Sequence, residues 1–253
     1  MPTTQRENHA VLIVSGGMDS CVLAHYYAAA GFHLHLLSFN YGQKHVKELT
    51  YAELYIADLR QRYPSLEIAH EIIELPISRL LVDSDSALIN PERKMPHGHY
   101  TDDSMKATVV PYRNPNMLLQ AATLAWNENA RVIAYAPHHG DYAQYPDCRE
   151  DFVDAFNTML ATAMDGRNIK VEAPFMYFSK AQIARLGASL NVPFALTWSC
   201  YEGGSDGLDD RHCGQCGTCT ERWEAFKLAG VPDPTAYAND PAQYINIAGR
   251  IEA

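Results

Sequence analysis

Cys200 and the run Cys213-Gly-Gln-Cys216-Gly-Thr-Cys219 put four thiols in the last quarter of the chain, three of them in a doubled C-x-x-C. Thiolates at these intervals suit a closed tetrahedral zinc site, and the interspersed glycines let the loop fold tightly around an ion. A complete set of four sulfurs leaves no open position for a catalytic water, so such a zinc reads as structural, one per chain. An iron–sulfur cluster or a redox pair is the rival occupant, and His212 could replace one sulfur. Cys21 and Cys148 lie apart and read as packed or pocket-lining thiols.

Val14-Ser15-Gly16-Gly17-Met18-Asp19-Ser20 carries a different chemistry. An apolar run over residues 10–14 passes straight into two glycines and then into helical spacing at Val22, Leu23, Tyr26, Tyr27 and Ala30, with Gly31 as the stop. The turn at 15–18 can approach a ligand closely, and the first N–H groups of the helix have no partner there, which makes an anion site, most naturally for phosphate. A plain strand-to-helix turn is the alternative. No lysine follows the glycines, so this is neither a Walker A loop nor G-x-G-x-x-G, and compensating charge has to come from elsewhere. Lys180, inside a Ser179–Gln182 capping box, is a candidate: a lysine in a first helical turn opposes the dipole, which suggests a bound anion, unless it faces solvent.

Two further groups offer recognition. The loop after residue 136 holds Asp141, Tyr145, Asp147 and Arg149 with Tyr142. Two carboxylates, two tyrosines and an arginine can accept N–H bonds, stack on a planar ring and neutralise an anion, which a heterocyclic acid would use together. Arg113 precedes a helix, where it reaches a phosphate or carboxylate or else lies on the surface. Phe39, Tyr41 and Gln43 fall at a strand end, placed to line a nucleotide pocket or simply to turn the chain. His97 and His99, in a Pro/Gly stretch without further ligands, read as solvated.

The elements that must position these groups alternate. Strands are expected at 10–14, 32–39, 67–73, 132–136 and 169–171, with helices between them, one carrying Val46, Leu49, Ala52, Ile56 and Leu59 on its apolar face. That pattern predicts an α/β fold, an open parallel sheet with helices on both faces and ligands beyond the carboxyl ends of the strands. Residues 75–109 have little periodicity and read as a mobile active-site cover. A unit at 1–195 followed by a zinc-binding segment at 196–253 is expected. With 253 residues, 47% of them hydrophobic, the chain can bury a large core, and its formal charge of −10 argues against sequence-independent nucleic-acid binding. No run is long enough to span a membrane and no leader is evident, so a cytoplasmic location is expected.

SGGMDS resembles the pyrophosphate-binding loop of the PP-loop ATP pyrophosphatases, whose members cleave ATP to AMP and pyrophosphate while adenylating a substrate. Together with FNYGQKH, VPYRN, YPDCRE, the SKAQI helix start and C-x12-C-x2-C-x2-C, it makes the chain similar to the 7-cyano-7-deazaguanine synthases from residue 11 to about residue 228. The resemblance implies a PP-loop, Rossmann-like fold, ATP and 7-carboxy-7-deazaguanine as substrates with ammonia, Mg²⁺ at Asp19, and a homodimer, with no nucleic-acid or membrane partner. It implies that residues 14–20 hold the phosphates and Lys180 supplies charge. It also implies that Asp141 or Asp147 accepts from the ring, Tyr145 stacks and Arg113 or Arg149 holds the carboxylate. Tyr112, the HHGDYAQ segment and the longer first cysteine spacing depart from the family pattern. A relative that adenylates another acid or joins the deazapurine to a macromolecule, and a non-catalytic nucleotide-binding zinc module, are the alternatives.

Overall fold

The structure, a computed structural model, describes residues 6–163, 168–202 and 210–245; the middle of the 202–210 insert and the ends of the chain lie outside them. Five strands form one parallel sheet: β1 (Arg6–Ile13), β2 (His33–Asn40), β3 (Ile68–Glu74), β4 (Ala130–Ala134) and β5 (Lys170–Glu172), in the order β3-β2-β1-β4-β5. Val11 of β1 stands opposite His35 of β2 on one side and Ile133 of β4 on the other. The strand order reverses about β1, so the carboxyl ends of β1 and β4 open a crevice at the switch point.

Both faces of β1 are apolar because both are covered. Val11 packs in one cluster with Leu37, Leu118, Ile133 and Phe156, while Ala10, Leu12 and Val14 pack in another with Val22, Leu36, Ile56 and Ile183. Such two-sided burial is what parallel strands joined by helical crossovers require. The helices are α1 (Met18–Ala29), α2 (Lys47–Arg62), α3 (Ile77–Leu80), α4 (Arg113–Glu128), α5 (Glu150–Ala163), α6 (Lys180–Ser189) and α7 (Gly217–Ala229). None among the described residues is long and apolar enough to cross a membrane.

The expected strands and helices are present with shifted ends, since periodicity does not locate the last ladder bond. Strand β4, for example, is expected at 132–136 and observed two residues earlier. Val46 is exposed and caps α2 instead of joining its buried face. The larger difference is at residues 75–109. Ala87, Leu88, Met95, Tyr100 and Met105 are buried, and His97 forms a β-bridge with Cys216, so this stretch is built into the core around the cysteines. Of its two histidines, His97 is exposed as expected, with Nε2 2.9 Å from Glu202, whereas His99 is buried and its Nε2 meets Glu224 at 2.9 Å. Irregular backbone buries apolar side chains without a period, and leaves no pattern to read.

Candidate active site

A cleft with about 210 Å³ of open space lies beyond the carboxyl ends of β1, β2 and β4. Its floor is the turn from β1 into α1. Gly16 adopts φ +92°, and a Cβ there would come within 2.3 Å of the Glu48 carbonyl, so close packing of the turn on α2 demands glycine. Gly17 keeps an ordinary φ of −73° and caps α1 without any side-chain cap bond, leaving the first-turn N–H groups free of a capping side chain. Ser20 Oγ accepts from the Ser15 amide at 3.2 Å and donates to the Gly17 carbonyl at 3.1 Å, which locks the turn open. The positive end of the α1 dipole therefore faces the cleft with a ring of donors.

The missing cation arrives from α6. Ser179 and Gln182 form the expected capping box, and Lys180, the first residue of the helix, sets its Nζ 3.0 Å from Asp19 Oδ2 and 2.7 Å from Glu221 Oε2. Burial would lower the Lys180 pKa, but Asp19, Glu221 and Asp141 outweigh it and hold the ammonium well above a free lysine. Burial likewise pushes the Glu221 carboxyl up, against the pull of Lys180 and His138. His138 Nδ1 accepts from the Gly140 amide at 3.0 Å, and Nε2 lies 3.7 Å from both Asp141 and Glu221 and 4.0 Å from Asp19. Asp141 is occupied: one oxygen accepts from the Tyr100 hydroxyl at 2.8 Å and the other from the His138 amide at 3.0 Å.

The opposite wall is aromatic. The Arg113 guanidinium lies 5.8 Å from the centre of the Tyr41 ring, and no carboxylate among the described residues comes within ion-pairing distance of it. Tyr145 joins this wall with its hydroxyl 2.6 Å from Thr108 Oγ1. Glu48, in the first turn of α2, also lines the cleft, and burial pushes its carboxyl up to about 8 despite the Gln43 hydrogen bond and Arg113.

Thus the cleft wall gathers Val14, Ser15, Gly17, Met18, Asp19, Ser20, Phe39, Tyr41, Arg113, Asp141, Tyr145 and Lys180 from among the expected site residues. Gly16 and Gln43 stand behind it. Asp147 and Arg149 are not on it: burial raises the Asp147 carboxyl while Arg113 lowers it, and Arg149 Nε donates to the Tyr142 carbonyl at 3.0 Å. Glu48, Tyr100, His138, Trp198 and Tyr201 line the cleft without having been anticipated. Only His138 carried a signal, since it follows a strand at its carboxyl end; the others come from a helix, from residues 75–109 and from the segment at the cysteines.

The four cysteines are buried, unpaired in disulfides, and bring their sulfurs within 4.8 Å of one another. Sulfurs bound at ~2.3 Å to a tetrahedral zinc would stand ~3.8 Å apart, and Cys213 Sγ and Cys219 Sγ are 3.8 Å apart. Backbone amides of Cys213 and Cys216 donate to Cys200 Sγ and Cys213 Sγ, each at 3.3 Å, as they would to thiolates. The cluster can hold a metal such as zinc. Burial, with the neighbouring sulfurs, pushes the Cys219 thiol well up, a cost that a bound cation reverses. His212 is not a member of this group: its Nε2 accepts from the Ser199 amide at 3.1 Å while its ring packs on Trp198.

A parallel sheet that delivers SGGMDS into a helix, opposed by a lysine from a later helix and flanked by four clustered cysteines, defines an α/β protein of the PP-loop class. Residues 9–230 match the family model described as queuosine biosynthesis protein QueC. The chain belongs to that family. It is 47% identical over 245 residues to the 7-cyano-7-deazaguanine synthase of Rhizobium meliloti (strain 1021), covering 96% of this chain and 97% of the relative. The enzyme of the same name from Brucella canis is 44% identical over 228 residues, covering 90% and 92%. Among solved structures, NMN synthetase from Francisella tularensis aligns at 16% identity and a TM-score of 0.43 over 95% of this chain and 83% of that one, too remote a likeness to build on.

Proposed function

We propose that this chain is an ATP-dependent ligase of queuosine biosynthesis that converts 7-carboxy-7-deazaguanine and ammonia to 7-cyano-7-deazaguanine. One observation carries the reading: Lys180 reaches Asp19 at 3.0 Å beside the N–H cradle of α1, in a cleft whose far wall offers Arg113 with no carboxylate partner among the described residues. A polyphosphate needs the first end and an acid the second. Relatives bearing the synthase name over nearly the whole chain support the same choice.

In this reading residues 14–20 hold the phosphates, Phe39, Tyr41 and Gln43 border the nucleotide, and Lys180 offsets the charge that builds on the departing pyrophosphate. Arg113 orients the acid so that its carboxylate oxygen attacks the α-phosphorus; pyrophosphate leaves and an acyl adenylate remains. Ammonia attacks the acyl carbon, AMP departs and a proton is released. The amide oxygen then attacks the α-phosphorus of a second ATP, pyrophosphate leaves, and loss of AMP and protons from the adenylated amide gives the nitrile. Tyr145 stacks on the ring; Asp147 and Arg149 stand off the cleft wall and both oxygens of Asp141 are engaged, so the N–H edge of the ring needs another acceptor. Mg²⁺ on the phosphates would neutralise charge, and Asp19 fits it, because Oδ1 is a buried oxygen with no partner.

Zinc in the cysteine cluster would be structural, fastening the segment at 196–253 to the nucleotide-binding unit at 1–195. The resemblance further implies a cytoplasmic homodimer. Incubation with 7-carboxy-7-deazaguanine, ATP and ammonium should yield the nitrile by mass spectrometry, with AMP. AMP release from other acids but none from this one would overturn the reading.

A further inference from the structure

A deazaguanine ring presents two donors side by side, the ring N1–H and the exocyclic 2-amino group, and a single carboxylate accepts from both. Of the carboxyl groups in and behind the cleft wall, most are already engaged. Asp19 and Glu221 hold Lys180, and both oxygens of Asp141 have donors. Glu48 differs in pairing with no lysine or arginine among the described residues. Its Oε1 accepts from Gln43 Nε2 at 3.0 Å and faces His45 Nε2 at 3.4 Å, while no described residue donates to its second oxygen.

The surroundings make Glu48 a built acceptor. Gln43 is held in place at both ends of its amide, accepting from the Tyr41 amide at 2.8 Å and donating to the Phe39 carbonyl at 2.9 Å. It thereby fixes one carboxyl oxygen and aims the other. His45 is kept neutral by burial, with Arg113 adding to the effect, so it brings no competing charge. Tyr201 packs against the His45 ring at 4.7 Å and lines the cleft together with Tyr41, Tyr145 and Arg113. Because the Gly16 turn rests directly on the Glu48 backbone, a ring read there lies next to the phosphate cradle, as adenylation requires.

We infer that Glu48, not Asp141 or Asp147, is the specificity-determining acceptor for the paired N–H edge of the heterocycle, with Gln43 as its positioning residue. The inference rests on the proposed substrate class and sharpens it to acids whose ring carries an amidine-like N–H pair. Arg113 then takes the acid group and Glu48 the opposite charge requirement at the other edge.

The test compares 7-carboxy-7-deazaguanine with its analogue lacking the 2-amino group, using wild type, Glu48→Gln and Glu48→Asp. The two ring donors favour the ionised Glu48 carboxyl in the complex, so losing one of those hydrogen bonds should cost wild type roughly 10- to 100-fold in kcat/KM on the analogue. In Glu48→Gln the KM for the full substrate should rise by about that factor and the discrimination should vanish, while the KM for ATP stays near wild type. Glu48→Asp should restore part of the discrimination. Equilibrium binding of both acids without ATP gives the same comparison should turnover be lost. Undiminished discrimination in Glu48→Gln, or an equal loss on both acids with unchanged KM, overturns the inference and leaves the proposed function standing. No wild-type turnover of 7-carboxy-7-deazaguanine overturns the function and the inference together.

Discussion

The amide of Trp198 donates to the carbonyl of Gly16 across 2.8 Å, so the segment leading into the first cysteine is bonded to the turn that forms the floor of the cleft. Cys200 follows two residues later, and Trp198 is itself held by a bond from its indole nitrogen to the Cys200 carbonyl at 2.9 Å. The cysteine cluster and the turn on the floor of the cleft are therefore mechanically joined.

Loss of the metal should reach the cleft by this route. Cys216→Ser, or chelation, is expected to lower the melting temperature by about 10 °C or more, the range for losing a structural metal, and to weaken nucleotide binding although none of the four clustered cysteines lines the cleft. Metal analysis should give one zinc per chain in wild type. An apo-protein that melts and binds ATP like the holo-protein would refute the coupling.

Lys180→Met tests the cationic role. It leaves Asp19 and Glu221 partly buried without their counter-charge, a loss of about 3–5 kcal/mol of stability, and it should lower kcat/KM for ATP by roughly 10²- to 10³-fold. Acid should narrow the stability gap, because burial already favours the protonated form of Glu221. Thermal melts at several pH values and steady-state kinetics separate the two effects.

Glu48 predicts a pH signature in the ligand-free protein. Burial, opposed by Gln43 and Arg113, lifts its carboxyl from 4.5 to about 8, with Tyr41, Tyr201 and neutral His45 as the other titratable groups around it. The folded pKa lies above the unfolded one, so the stabilising contribution is complete below about 4.5 and is lost as pH rises through about 8. Glu48→Gln lacks this slope. Its melting temperature relative to wild type should climb between pH 5 and pH 8.5; parallel curves would show that the carboxyl is ionised throughout.

The two glycines of the turn should respond differently. Gly16→Ala combines φ +92° with a 2.3 Å approach to the Glu48 carbonyl, and should abolish stable folding or cost several kcal/mol. Gly17→Ala meets Ser15 Oγ at 3.2 Å and the Trp198 carbonyl at an ordinary contact distance of 3.7 Å, and should fold close to wild type. Circular dichroism melts of the two proteins decide it.

Much of this was legible in the chain. The apolar run before Ser15, the cysteine spacing and the Ser179–Gln182 capping box are local patterns, and local patterns are governed by backbone geometry and short-range bonding. Sequence alone thus determined the alternating elements, the glycine turn into α1 and the set of four cysteines that cluster. Only tertiary structure decided that Lys180 meets Asp19 and Glu221, that Arg149 turns to a carbonyl away from the cleft wall, and that Glu48 rather than Asp141 keeps an unbonded oxygen. Contacts between residues far apart in the chain are set by how helices cross the sheet, and that packing depends on every buried side chain at once, which no short window of sequence contains.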